Sequence, residues 1–115
     1  MPLFGANLGS IIHAADHLKE VTKQSLSVGD WVIAKTINST YKIRVVGKNM
    51  YEVSGGWFDA RGLSPAVTRI HGCTWGSRVI KTDIVAACGM SIEFEKRIIT
   101  STIITLVHIP YSRSN

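Results

Sequence analysis

The stretch SLSVGDWVIAK, residues 25–35, divides the chain into two hydrophobic rhythms. Before it, Ile11, Ala14, Ala15, Leu18 and Val21 recur at helical spacing. After it, the apolar runs are short, rich in Val, Ile, Thr and aromatic residues, and bounded by Gly, Asn or Ser. A period of about 3.6 lays one stripe of a helix on a core, and a period of about 2 buries one face of a strand. The change of period predicts one N-terminal α-helix packed on a mainly β, α+β domain.

Within the stretch, Val28-Gly29-Asp30 reads as a turn and Trp31 to Lys35 as the first strand. Toward the N-terminus, residues 10–24 form the predicted helix, with Asn7 or Ser10 able to accept the free N–H groups of its first turn. Residues 1–9 read as a loose arm with Leu3 and Phe4 as apolar anchors. Toward the C-terminus, Tyr41, Ile43 and Val45 alternate with Lys42 and Arg44. Gly47-Lys48-Asn49 then supplies a hairpin turn, because Gly and Asn tolerate positive φ. Met50 to Ser54 returns, Gly55-Gly56 permits a bend, and Gly62 to Pro65 marks a loop. Val67 to His71 and Arg78 to Ala87 read as further strands around the Gly72–Gly76 loop. Met90 to Phe94 and Arg97 to Ile109 form a final hairpin across Glu95-Lys96.

The whole of 1–115 reads as a single domain, with a β domain at 30–109 and a tail at 110–115. Short strands with glycine bends predict a small, strongly bent antiparallel β-barrel or sheet of SH3-like or OB-like type. A flatter sheet with the helix across one face is the alternative. Val28-Gly29-Asp30-Trp31-Val32 resembles the opening of many small barrels, a likeness too short to assign a family.

At 115 residues, 45% hydrophobic and 18% charged, the chain has the composition of a folded domain with its own core. Its formal charge is +5, and Trp31 to Asn115 carries the excess: eleven Lys or Arg stand there against five Asp or Glu. Such a balance attracts polyanions at long range. Cys73 and Cys88 belong to no Cys-x-x-Cys pair and read as reduced, buried, apolar residues. The start lacks the pattern of a signal peptide, and no apolar run reaches the ~20 residues of a membrane helix. A cytoplasmic location and no membrane partner are therefore expected.

Three constellations carry chemistry. Lys42, Arg44 and Lys48 on the first hairpin, with Trp57, Phe58 and Arg61 beyond it, mix cations and aromatic rings as a single-strand nucleic-acid face does. Trp75 and Arg78 extend this set, Trp31 reads as core, and Trp57 reads as the most exposed tryptophan. His13 and His17 share a helix face with Glu20, but Ala14 stands where the metalloprotease motif needs Glu, so no metal is expected. His71 lies two residues from Cys73, with Asp59 or Asp83 available to orient it; without a positioned third group this does not make an activated thiolate. The glycine-rich stretches match no phosphate or dinucleotide loop, so no cofactor is expected.

The terminal strand is the remaining feature. Ile98-Ile99, Ile103-Ile104 and Leu106-Val107 put apolar residues on both faces, which calls for cover on both sides. Ile99, Ile103, Ile104 and Val107 are accordingly the candidate self-association residues. The function these observations favour is a non-enzymatic module that contacts a protein partner, itself included, as a homo-oligomer. A nucleic-acid-binding barrel is the alternative.

Overall fold

The computed structural model describes residues 19–76 and 79–111. Their strands are β1 (Glu20–Thr22), β2 (Trp31–Thr36), β3 (Thr40–Gly47), β4 (Met50–Ser54), β5 (Ala66–Thr68), β6 (Ile70–Trp75), β7 (Val79–Lys81), β8 (Ile84–Ala87), β9 (Ser91–Phe94) and β10 (Ile103–Ile109). A five-residue helix, α1 (Gly56–Ala60), and two 3-10 turns, Lys23–Ser25 and Glu95–Arg97, complete the elements. The strands form three antiparallel sheets, ordered β10-β2-β3-β4-β5, β7-β6-β9 and β1-β8. The mainly β expectation holds, but among the described residues the sheets stay open and no closed barrel forms. Strand β5, three residues long and next to Pro65, ends the large sheet, and the chain then enters the β7-β6-β9 sheet.

The predicted helix at 10–24 lies outside the described residues up to Leu18. Its remainder is extended and then 3-10: Glu20–Thr22 pairs with Ile84–Ala87, and the Lys19 carbonyl accepts the Cys88 N–H at 2.8 Å. The adjacent β-branched residues Val21 and Thr22 suit a strand, and pairing with β8 overrides the local helical spacing. Val21 is buried and Glu20 exposed in this strand, as they would be on the helix.

The central hairpin follows its sequence pattern. Tyr41, Ile43 and Val45 point into the core with Tyr51 and Val53, while Lys42 is exposed. Asn49, at φ 47°, takes the left-handed position of the turn; Gly47 does not need it. A bulge between Val45 and Gly47 curls this end of the sheet. Gly55 and Gly56 both have positive φ, and a Cβ on either would overlap the Thr40 carbonyl oxygen or the Tyr41 ring. This close approach starts α1, and the Tyr41 hydroxyl accepts the Trp57 N–H at 3.0 Å.

One core joins the sheets. Val32, Ile43, Val53 and Leu106 from the large sheet meet Ile70, Val85, Ile92 and Phe94 from the smaller ones. Phe94 is the ring they share, with centroids 5.2 Å from Phe58 and 6.0 Å from Tyr41.

The terminal segment departs from the predicted hairpin. Lys96 and Arg97 both have positive φ, and only a short ladder survives beyond them: Phe94 N–H to the Ile98 carbonyl, and Thr100 N–H to that of Ile92. Thr100 then closes off the pairing, because its hydroxyl takes the Ile92 N–H. Strand β10 begins only at Ile103 and pairs with β2, setting Leu106 opposite Ala34 and Val107 opposite Ile33. Leu106 enters the main core, whereas Ile33, Val107 and Ile109 are buried outside it on the other face. Both faces of β10 therefore bury apolar residues, with Ile104 left exposed.

Two measurements check this packing. Phe94→Ala should cost about 3–5 kcal/mol in denaturant unfolding, the usual loss for a buried aromatic ring. Ile103→Asp should unfold the chain, whereas Ile104→Asp, at a position 53% exposed, should change stability by no more than about 0.5 kcal/mol.

Candidate functional site

Strands β6 and β7 make a hairpin buried at its base and apolar at its open end. Cys73 faces Lys81, Thr74 faces Ile80, and Trp75 faces Val79. Cys73 and Thr74 are buried, yet Trp75, Val79 and Ile80 are 50%, 54% and 41% exposed. Trp75 and Val79, as cross-strand partners, share one face of the hairpin, and Ile80 lies on the other. The Lys81 ammonium lies 5.7 Å from the Trp75 ring centroid, a cation–π distance that leaves charge beside the apolar patch. Strand β7 is also an edge of its sheet, so its outer backbone groups have no strand partner among the described residues.

Sequence reasoning placed Trp75 in the basic–aromatic set and missed Val79 and Ile80, which looked like the inside of one long strand over 78–87. The strand divides instead, because Thr82-Asp83 turns the chain and β8 leaves to pair with β1. That departure uncovers β7. A pair of adjacent apolar residues flanked by Arg78 and Lys81 was the available signal, and it does not distinguish a covered strand from a bare one.

The basic–aromatic residues do not converge. Lys42 and Lys48 are exposed, but Arg44 pairs with Glu52 at 3.3 Å. Phe58 is a core residue, packed edge-on against Tyr41 and Phe94. Trp57 is half-buried rather than the most exposed tryptophan, and the Arg61 guanidinium lies 4.5 Å from its ring centroid. Arg61 thus occupies a ring face on which a base would stack. Of the six, Trp57 meets Arg61 and packs edge-on against Phe58, with ring centroids 5.3 Å apart. Asp59, its carboxyl held below the usual range by hydrogen bonds from Ser64 and Gly55, also feels the charge of Lys42.

The terminal strand offers little free apolar surface. Ile103 and Val107 are buried, Ile99 is half-buried, and Ile104 alone of the four is exposed. The backbone at Ile103 is engaged as well: its carbonyl accepts the Gly89 N–H at 2.9 Å, and its N–H donates to Met90 at 2.8 Å.

The titratable groups serve packing. A register shift between Ile70 and Gly72 separates His71 from Cys73. His71 is exposed and meets Glu93 at 3.3 Å, while Cys73 is buried with its thiol 3.5 Å from the Val85 carbonyl. Burial pushes the Cys73 thiol up to about 12 against the opposing effect of the Ala87 backbone N–H, and burial also raises Cys88. A thiol so rarely ionised is a poor nucleophile. His13 and His17 lie outside the described residues, and no group of three metal-ligating side chains occurs among the described ones. No helix among them is long and apolar enough to cross a membrane.

Asp30 is the most heavily bonded carboxylate. It accepts hydrogen bonds from Ser27 N–H at 3.0 Å and Tyr111 N–H at 2.8 Å, and meets His108 Nε2 at 2.8 Å. Burial alone would raise its pKa, but these donors and the imidazole together hold it below the usual carboxylate range. A lowered folded-state pKa contributes stability above the unfolded-state value, and that stability is lost as pH falls through the folded value. Unfolding midpoints should therefore drop below about pH 4, and Asp30→Asn should flatten that acid limb. In a thiol-labelling time course at pH 8, Cys73 should react only on the timescale of unfolding, and His71→Ala should leave its rate unchanged.

No protein-family model, curated protein or solved structure matches the chain, so its function must be read from the chemistry of these surfaces.

Proposed function

We propose that this chain is a non-enzymatic interaction module that binds an extended segment of a partner protein along the β6–β7 hairpin. The exposed pair Trp75 and Val79, which share one face of the hairpin, carries the reading, with Ile80 exposed on the opposite face. Exposed apolar side chains grouped on one element are costly to leave in water, and tryptophan is the residue most often found as an anchor at interfaces. The unpaired edge of β7 offers main-chain hydrogen bonds to an added strand, which supply affinity while side-chain contacts supply specificity. Lys81 beside Trp75 and the net charge of +5 favour a segment in which apolar residues alternate with acidic ones.

Strand addition fits this hairpin better than contact through β10, where burial leaves only Ile104 largely exposed among the candidate residues. It also fits better than nucleic-acid binding, because the cationic and aromatic residues of that set are dispersed, paired or in the core.

Peptide display against the folded chain tests the proposal. Enriched sequences should alternate apolar and acidic residues. Trp75→Ala should weaken the best peptide by about 2 kcal/mol or more, the scale of an interface anchor, with the unfolding midpoint little changed. Val79→Pro, which obstructs an added strand at the edge, should also abolish binding. Enrichment of sequences whose affinity ignores both changes would overturn the reading.

A further inference from the structure

The large sheet has a second apolar face, turned away from the core. Register sets Val107 opposite Ile33 and Ile109 opposite Trp31, on the face shared by Lys35 and Lys42. Ile33, Val107 and Ile109 are only 4%, 2% and 4% exposed, yet none belongs to the core cluster. Residues of β6, β8, β9 and α1 join that cluster with Val32, Ile43, Val53 and Leu106, on the opposite face of the sheet. A sheet face that nothing covers stands in water, so three buried residues here require a cover. Beyond the described residues the chain offers 1–18, 77–78 and 112–115. Residues 77–78 are Ser-Arg and 112–115 are Ser-Arg-Ser-Asn, polar throughout. Within 1–18, by contrast, Phe4, Leu8, Ile11, Ala15 and Leu18 recur every three or four residues, the spacing of one apolar stripe.

The path of the chain points the same way. The Lys19 carbonyl accepts the Cys88 N–H at 2.8 Å, and the next residue, Gly89, donates its N–H to the Ile103 carbonyl at 2.9 Å. Residue 19 therefore lies near the first residue of β10, an edge strand of the large sheet. From that end the outer face presents Lys35 beside Thr105, then Ile33 beside Val107, then Trp31 beside Ile109. Ile103 to Ile109 spans about 20 Å of strand, and 18 residues reach about 27 Å even at the short rise of a helix. Charge agrees: residues 1–18 contain Asp16 and no Lys or Arg, while Lys35 and Lys42, both exposed, border the apolar strip. We infer that residues 1–18 fold back over the outer face of the large sheet as its covering segment. Asp16, three residues before Lys19, lies by Lys35; Ile11 rests on Ile33 and Val107, and Leu8 on Trp31 and Ile109. The face belongs to a different sheet from the β6–β7 hairpin, and neither proposal depends on the other.

Photo-crosslinking in the full-length chain tests the inference. With p-benzoylphenylalanine in place of Leu8, irradiation should link residue 8 within the monomer to tryptic peptide 24–35 or 98–113, which carry Trp31 and Ile33 or Val107 and Ile109. Adding Ile11→Asp should cut that yield about fivefold or more, because a charge is costly against an apolar face. Backbone amide spectra of full-length Ile11→Asp, without the photoreactive group, give an independent reading. The amides of Ile33 and Val107 should shift, and those of β6 and β9 should stay in place. Links that join two copies would assign the face to a second chain and overturn the inference. Links confined to β6–β9, no link at all, or unchanged amides at Ile33 and Val107 would overturn it as well.

Discussion

The carboxylate of Asp30 holds together parts of the chain that are remote in sequence. His108 and Tyr111, which bind it, lie 78 and 81 residues away, while Ser27 lies three residues back on the turn leading into β2. The same corner is tied by the backbone, since Gly29 N–H donates to the Val45 carbonyl and Val45 N–H to that of Asp30. The start of β2 is thereby fixed against both its neighbours, β3 and β10. Closing so long a loop is entropically costly, and hydrogen bonds to a buried charge are among the few single interactions strong enough to offset a sizeable part of that cost. Removing the charge leaves three oriented donors facing a poorer acceptor.

With β2 anchored, the placement of the remaining surfaces follows from packing. Strand β10 is held at the edge of the large sheet and buries apolar residues on both faces, Leu106 on one and Val107 and Ile109 on the other, with Ile104 left exposed. Phe58 and Phe94 draw α1 and β9 onto Tyr41, which puts Trp57 against the core and beneath Arg61. The β6–β7 hairpin is buried at Cys73 and Thr74 and exposed at Trp75 and Val79.

Charge is distributed to a different end. Arg44 is neutralised by Glu52, and Arg61 is committed to Trp57. Lys23 and Lys48, by contrast, have no carboxylate within ion-pair distance among the described residues. The net charge of +5 is therefore a poor guide by itself; what matters is which cations are already paired and which lie beside apolar surface.

The sequence by itself determined the elements whose cause is local. Alternation at Tyr41-Ile43-Val45 and Tyr51-Val53 sets which face of a strand is apolar, and Asn49 and Gly55-Gly56 mark the sites that need positive φ, because side-chain direction and allowed backbone angles are properties of a residue and its immediate neighbours. Tertiary structure alone decided the rest. The Leu18–Val21 spacing looks helical until β8 is available as a partner for Glu20–Thr22. The run from Ile98 to Val107 reads equally as an uncovered interface or as an interior strand until β2 and the second face are in place. His71 and Cys73 would share a face in a regular strand, but a bulge separates them, and Val79-Ile80 reads as covered until β8 turns away. In each case the deciding interaction joins residues far apart in sequence, and burial at a given position depends on what packs against it rather than on its own side chain.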